Sequence, residues 1–383
     1  MSYLPFLLVI PIILSLLLRL TTHLQTWAYF HQAKQRPEST WQPTVSIIVP
    51  LKGLDEQARL NFSSLCQQSY RAPYEVIFAL EDDDDPAVPV IQELIQHYPA
   101  QVKLVFSDPL ELTAVGKIKN LIAGYRASQH KVIILIDSDV RVSSDFLNQS
   151  VGFVEVPETG AAFAAPVSYG SEDWVAALHN MAVNISALNY GAAAYQKRNN
   201  NMVGSIIVTR RDVLDTIGGL DAIANRIVGI DVSLGQAIHQ AQYQIQLLGQ
   251  PARIYHSRDT FIKYWWQIHR WLVTIRHYFP RFPWVMIILA LPLWWALLFL
   301  GIALLQQTHI ALGIGLTSIV LLANVFSIAV INQRLVNDKK LWPFLWVALL
   351  SEIVSLPIFI HSLFSTKVLW RGRWLSITDS QAN

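Results

Sequence analysis

Apolar residues gather at the two ends of the chain, in one run from Tyr3 to Leu18 and three more from Trp284 to Leu305, Ile310 to Ile331 and Leu341 to Phe364. At 1.5 Å per residue the last three are long enough to cross a hydrocarbon layer of roughly 30 Å, and with the first they give four spanning candidates. Between the ends, short β-rich runs alternate with helical stretches: Val45–Pro50, Glu75–Leu80, Val102–Phe106 and Val132–Asp137 read as strands. Asp55 is placed to cap a helix through Leu60 and Leu65, and Pro86 to Tyr98 supplies another. Strand and helix in alternation predict an α/β unit with a largely parallel sheet.

From Phe261 a second period takes over. Phe261, Trp265, Ile268, Leu272, Ile275 and Phe279 recur at helical spacing, with Lys263, Gln267, Arg270, Thr274 and His277 on the opposite face, which suits a helix lying in a membrane surface. Trp174, Leu178, Met181, Ile185 and Leu188 form a similar stripe, and the two are expected to flank a lipid entrance. The segments predicted are a transmembrane helix over residues 1–20, a juxtamembrane linker over 21–43 and an α/β unit over 44–255. An interfacial helix follows over 256–281, then membrane helices over 282–365 and a basic tail over 366–383.

Orientation follows from the cations. Arg19, His23, Lys34 and Arg36 follow the first run, and Arg334, Lys339 and Lys340 lie between the last two, so both places are expected in the cytoplasm. No basic segment precedes the first run and no small-x-small pattern follows it, so the run reads as a retained anchor rather than a signal peptide. Lys367, Arg371 and Arg373 break the rule after four crossings, and Glu352 and Pro357 are awkward in a simple span, which leaves a re-entrant final segment open.

Composition agrees with a membrane protein: 52% of the 383 residues are hydrophobic and 15% charged. A net charge of +2 gives no broad basic field, so nucleic acid is not an expected partner. The one cysteine, Cys66, excludes an intrachain disulfide and a thiolate metal cluster.

Ligands of open α/β sheets collect at the C-terminal ends of strands. Here those ends carry Pro50 and Lys52, Glu81 and Asp82, and Asp137-Ser138-Asp139. Two carboxylates separated by one residue at a strand end can hold a divalent cation, Mg2+ or Mn2+, against a diphosphate. Asp82, among five consecutive acids, is the choice for nucleotide contact. Asp231 precedes a helical stretch and reads equally as an N-cap or a general base. Lys117 and Asn120 at a loop-helix junction could meet phosphate or base, or simply be solvated. Gln267, Arg270 and Trp271 lie on the interfacial helix, where an arginine can also snorkel to headgroups. Trp370 to Trp374 (WRGRW) reads as an interfacial anchor.

Taken in order from Val45 to Trp374, these pieces resemble the ceramide glucosyltransferases and the related bacterial hopanoid-associated glycosyltransferases. The resemblance rests on Asp82, Asp137 to Asp139, Asp231 and Gln267 to Trp271, supported by VPLKGLD, EDDDDPA, KIKNLIAGY and RRDVLDTIGGL. It implies a GT-A (Rossmann-like) fold with an N-terminal anchor and a C-terminal membrane region, in the bacterial-type plasma membrane with the catalytic unit cytoplasmic. It further implies inverting transfer of a hexose, glucose first, from a UDP-sugar to a membrane lipid. In that scheme Asp82 contacts the uridine, Asp139 with Asp137 holds the metal-diphosphate, Asp231 is the base, and Gln267, Arg270 and Trp271 close on donor and acceptor. Ile230 departs from the pattern, since an acid usually precedes the third aspartate, and the stretch from Asn180 to Asn201 lacks close similarity on the acceptor side. The competing readings are a processive polysaccharide synthase, for which three C-terminal helices are few, and a non-catalytic membrane scaffold.

Overall fold

The computed structural model describes residues 4–36, 39–108, 116–198, 201–223, 229–281, 285, 289–370 and 372–377. The chain divides into two compact units. Thr26–Val167 with Tyr190–Tyr255 makes a sheet unit, and Met1–Gln25, Ser168–Asn189 and His256–Thr378 make a helical unit.

The chain opens with α1 (Leu4–Leu7) and the long α2 (Val9–Lys34). In the sheet unit β1 (Val45–Pro50), α3 (Ala58–Cys66), β2 (Tyr74–Leu80), α4 (Ala87–His97), β3 (Val102–Phe106), α5 (Gly116–Ala127) and β4 (Val132–Ile136) follow in turn. Then come β5 (Val140–Arg141), α6 (Phe146–Val151), β6 (Thr159–Phe163) and β7 (Pro166–Tyr169). Beyond α7 (Trp174–Tyr195) lie β8 (Ile206–Arg210), α8 (Arg211–Thr216), α9 (Ile230–Gln240), β9 (Gln244–Leu247) and β10 (Ala252–Tyr255).

The main sheet runs β3-β2-β1-β4-β8-β6-β9. The first four strands are parallel, as the alternation predicts, and all six residues of β1 are buried because helices cover both faces. The second half departs from the expectation. β8 runs antiparallel to β4 and β6 antiparallel to β8, so the N-terminal end of β8 lies beside the C-terminal end of β4. The α/β core with apolar end helices expected from the resemblance is present.

Two local expectations need correction. Asp55 does not cap α3; Gln57, in the left-handed region, precedes the helix. Within the acidic run, Asp85 accepts from Gly53 N at 2.7 Å and from Ala87 N at 2.9 Å, which fixes the start of α4. The segment predicted as a linker from residue 21 is helical to Lys34, since α2 runs unbroken through the boundary.

In the helical unit, α10 (Phe261–Tyr278) is the predicted interfacial helix, capped by Thr260. Tyr264, Ile268, His269 and Val273 are buried against the protein, whereas Phe261, Ile262 and Phe279 are exposed. On α7, Leu178, Met181 and Leu188 are buried, and Trp174 and Ile185 remain exposed. α11 (Pro292–Gln306), α12 (Ile310–Ile331) and α13 (Ala348–Leu363) complete the helices. Among the described residues three segments are long and apolar enough to cross a membrane, Val9–Lys34, Ile310–Val336 and Lys339–Leu363. The fourth candidate is described as helix over only 15 residues of α11, about 22 Å, and its predicted start at Trp284 lies outside the described residues.

Large side chains on these helices face outward: Ile13, Leu17, Leu322 and Phe326 are each about half exposed or more, as lipid contact requires. The acid that made the last run awkward is satisfied internally. Glu352 accepts from Leu293 N at 2.8 Å and Asn324 Nδ2 at 2.9 Å and pairs with Arg19 at 3.7 Å. Charge buried in an apolar layer persists when it is partnered in this way.

The tail also differs from a simple basic extension. β11 (Lys367–Trp370) and β12 (Arg373–Ser376) form a hairpin around Gly372, whose φ of 78° suits glycine; Arg371 lies outside the described residues. The hairpin packs on α10 through Trp374 against Trp266, at a ring separation of 5.0 Å. Lys367 and Arg373 are therefore expected on the same side of the bilayer as α10. Since Cys66 is buried, single cysteines placed at Lys263 and Ser376 test this: both should react with an impermeant thiol reagent from one side only, and the same one.

A second prediction concerns packing in the sheet unit. Gly124 on α5 lies against β1 so closely that a Cβ would come within 2.4 Å of Ile48 Cγ2. Gly124→Ala should therefore destabilise by about 1–3 kcal/mol in chemical unfolding, because the strand beneath is fully packed.

Candidate active site

Asp137, Asp139 and Asp231 of the sheet unit come together beside Lys117 at the C-terminal end of β4. Asp137 follows β4 directly, and its N–H donates to Ser205 O at 3.0 Å. Gly204, the next residue back, donates its N–H to Asp231 Oδ2 at 2.8 Å. The strip just before β8 thus holds Asp137 and Asp231 together, which follows from the antiparallel pairing of β8 with β4. Neither Gly204 nor Ser205 carried a signal in the sequence.

Asp231 sits in the first turn of α9, whose N-cap is Gly229 in the left-handed region. Of the two readings left open, the N-cap is excluded. Val232 N–H donates to Asp231 Oδ1 at 2.9 Å, so both carboxylate oxygens are oriented by amides. Burial raises its pKa above the ordinary carboxylate range, Asp137 adding to the effect, while Lys117 and the two amides oppose it.

Lys117 provides the balancing charge. Its Nζ lies 2.5 Å from Asp137 Oδ1. Burial works against the ammonium, but Asp137, Asp231 and Asp139 together hold its pKa above the ordinary value. Asp139 is the least satisfied member: its Oδ1 is buried with no hydrogen-bond partner. Its pKa is pushed up to about 7, by burial first and then by Asp137 and Asp55. An orphaned carboxylate oxygen amid other acids suits a hard divalent cation, so the residues fit the Mg2+ or Mn2+ expected at Asp139 and Asp137.

The remaining donor-site candidates separate by role. Ser138 Oγ donates to Asp55 Oδ2 at 2.5 Å, tying the loop after β1 to the acidic turn. Asn120 is buried, its amide donating to Leu51 O at 2.9 Å and accepting from Ser107 Oγ at 2.7 Å, so it binds the ends of β1 and β3 together. Pro50 closes β1 and is buried. Lys52 is exposed and lies 4.0 Å from Glu81. Glu81 lies beside Gly116, where an added Cβ would stand 3.0 Å from its carboxylate. Asp82 is exposed at the end of β2.

Gln267, Arg270 and Trp271 belong to the helical unit. Arg270 Nη2 donates to Gln267 Oε1 at 2.9 Å, one helical turn back, and the guanidinium lies over the Trp370 ring at 5.4 Å. The arginine is held in place rather than extended along the helix toward headgroups. Trp370, read as a plain anchor, is thus a partner of this motif. His269, between the motif residues, is fully buried with its ring tilted against that of His361, and burial lowers its pKa to about 4.

The model of the family described as Glycosyl transferase family 21 matches residues 7–382, from the N-terminal helix to the tail. The chain belongs to Glycosyl transferase family 21. Among curated relatives, a ceramide glucosyltransferase of Komagataella phaffii is 31% identical over 126 residues, 32% of this chain and 25% of that one. Ceramide glucosyltransferase 3 of Caenorhabditis elegans is 24% identical over 236 residues, 61% of this chain and 51% of that one. The matched segments therefore span between a quarter and about half the length of these relatives. A solved mannosyltransferase from Pyrobaculum calidifontis, in complex with GDP-Man and Mn2+, is similar over 92% of this chain and 99% of its own, at 14% identity and a TM-score of 0.49.

For this family 21 chain, the buried charge of Asp139 makes a prediction independent of turnover. Its pKa rises from an ordinary 3.8 in the open chain to about 7 on folding, so between those values the unfolded state loses a proton that the folded state keeps. Stability of the metal-free protein should fall as pH rises through that window. Asp139→Asn should remove the dependence and stabilise the metal-free protein at pH 7 by on the order of 2 kcal/mol. In thermal unfolding, Mn2+ should stabilise the wild type and leave Asp139→Asn unchanged.

Proposed function

We propose that this protein is an inverting hexosyltransferase that moves a sugar, glucose first, from a UDP-sugar to the hydroxyl of a membrane lipid such as ceramide. The observation that carries the reading is the Asp137, Asp139, Asp231 and Lys117 cluster at the strand ends. Two of its acids have raised pKa values, in a family 21 chain whose apolar helices suit a bilayer.

Asp231 is the general base. Its two amide bonds fix the carboxylate, and a raised pKa brings it nearer the operating pH at which a base works best. It takes the proton of the acceptor hydroxyl as that oxygen attacks the anomeric carbon from the face opposite the departing UDP. One displacement inverts the anomeric centre, so an α-linked donor gives a β-glycoside. The cation at Asp139 and Asp137, when bound, neutralises charge on the diphosphate leaving group. Lys117 keeps Asp137 charged and oriented. Lys52, Glu81 and Asp82 line the nucleotide end, and Ser138 and Asn120 position the loops there. Gln267, Arg270 and Trp271 serve donor and acceptor from the interfacial helix.

In this reading residues 44–255 are the catalytic region, residues 256–281 its membrane-surface helix and the remaining helices its anchor. The active unit faces the cytoplasm from a bacterial-type plasma membrane.

The test is purified full-length protein in lipid, given UDP-glucose, UDP-galactose or UDP-N-acetylglucosamine with ceramide or a bacterial lipid extract. UDP release and lipid mass are followed. A single hexose gain that needs divalent metal and falls by about 100-fold or more in Asp231→Asn is the expected result. A ladder of products would indicate a polysaccharide synthase, and absence of UDP release with every donor would indicate a scaffold.

A further inference from the structure

His179, His256 and Asp259 meet at one point in the helical unit, apart from the carboxylates described above. His179 projects from α7, whereas His256 and Asp259 come from the short segment between β10 and α10. Asp259 Oδ2 lies 2.9 Å from His179 Nδ1 and 3.2 Å from His256 Nε2, and one ligand atom from each residue falls within 4.8 Å of the others. The imidazole centroids are 4.3 Å apart.

We propose that these three side chains form a zinc site that ties α7 to the start of α10. The separations of 2.9 and 3.2 Å are ordinary hydrogen-bond lengths, and the convergence of one carboxylate oxygen on two ring nitrogens also suits a shared cation. Ligand atoms of a tetrahedral zinc, bonded at about 2.1 Å, stand roughly 3.3 Å from one another, close to the spacing of the two nitrogens from Oδ2. Two imidazoles and a carboxylate are borderline donors that suit zinc, whereas the all-carboxylate pair Asp137 and Asp139 suits a harder cation. Three protein ligands leave a fourth position for water.

Supporting bonds are in place. The second oxygen of Asp259 accepts from Thr260 N at 2.7 Å, and its own N–H donates to Asp173 Oδ2 at 3.2 Å. Asp173 in turn accepts from Ala176 N at 2.7 Å in the first turn of α7. Ligand carboxylates held this way keep their aim without relying on the metal. Burial also lowers the pKa of His179, favouring the neutral ring that a metal needs. On binding, the proton that each neutral ring donates toward Asp259 moves to its other nitrogen, so no net proton loss is required.

The site has a mechanical consequence. Thr260, next to Asp259, caps α10, and the edge of Trp271 lies against His179 at a ring separation of 5.8 Å. Zinc here would fix the helix that carries Gln267, Arg270 and Trp271 at its first turn and at its motif.

Full-length protein, purified without a histidine tag from zinc-supplemented cells, should carry about one zinc per chain by mass spectrometry. His256→Gln and Asp259→Asn should fall to background. Added ZnSO4 should raise the unfolding temperature of the wild type and not of His256→Gln, a comparison that also shows the variant is folded. Cobalt in place of zinc should give the visible bands of a tetrahedral N/O site. Background zinc in the wild type, or equal zinc in wild type and His256→Gln, would overturn the proposal. Loss of zinc in Asp139→Asn would overturn it as well, by assigning the metal to the carboxylates.

Discussion

The antiparallel insertion of β8 beside β4 is the constraint on which the candidate site depends. In a purely parallel sheet, the C-terminal end of β4 would adjoin other C-terminal ends and the loops leaving them. Reversing one neighbour brings an entering strand to the same edge, and its leading residues, Gly204 and Ser205, offer an N–H to Asp231 and a carbonyl to Asp137. Two acids separated by more than ninety positions are thereby held within one backbone strip. The Asp231 carboxylate is oriented by two backbone amides, whereas the Asp137 carboxylate is oriented by Lys117.

The site stores unfavourable electrostatics as a result. Desolvation and mutual repulsion raise the pKa values of Asp139 and Asp231, and Lys117 relieves only part of the effect. A closed ion-pair network would be more stable, but it would leave no oxygen for a cation. The buried Oδ1 of Asp139, without a hydrogen-bond partner, is where that cost to stability is concentrated.

The helical unit applies the same physics with a different outcome. Glu352 also carries a carboxylate away from water, yet Arg19, Asn324 and an amide satisfy it, so it joins α2, α12, α13 and the start of α11. A polar group that costs several kcal/mol unpaired in an apolar layer becomes specific glue between helices when each partner comes from a different one. The hairpin at the tail continues this pattern, since Trp370 and Trp374 give aromatic faces to Arg270 and Trp266 on α10.

Local pattern settled much of this protein in advance. The short β-rich apolar runs of β1 to β4, the period near 3.6 from Phe261, and apolar runs of membrane length are properties of neighbouring residues, so the elements and their order were legible. Asp137 and Asp139 were legible as well, because a strand end fixes where adjacent side chains go. The direction of β8 was not, since strand pairing depends on contacts far apart in the chain. With it went the contacts of Gly204 and Ser205 with the two acids, and the exclusion of Asp231 as an N-cap. The roles of Glu352, Trp370 and the His179, His256 and Asp259 cluster were hidden for the same reason. Each of these residues is ordinary in its own stretch and acquires meaning only from a partner brought to it by tertiary packing.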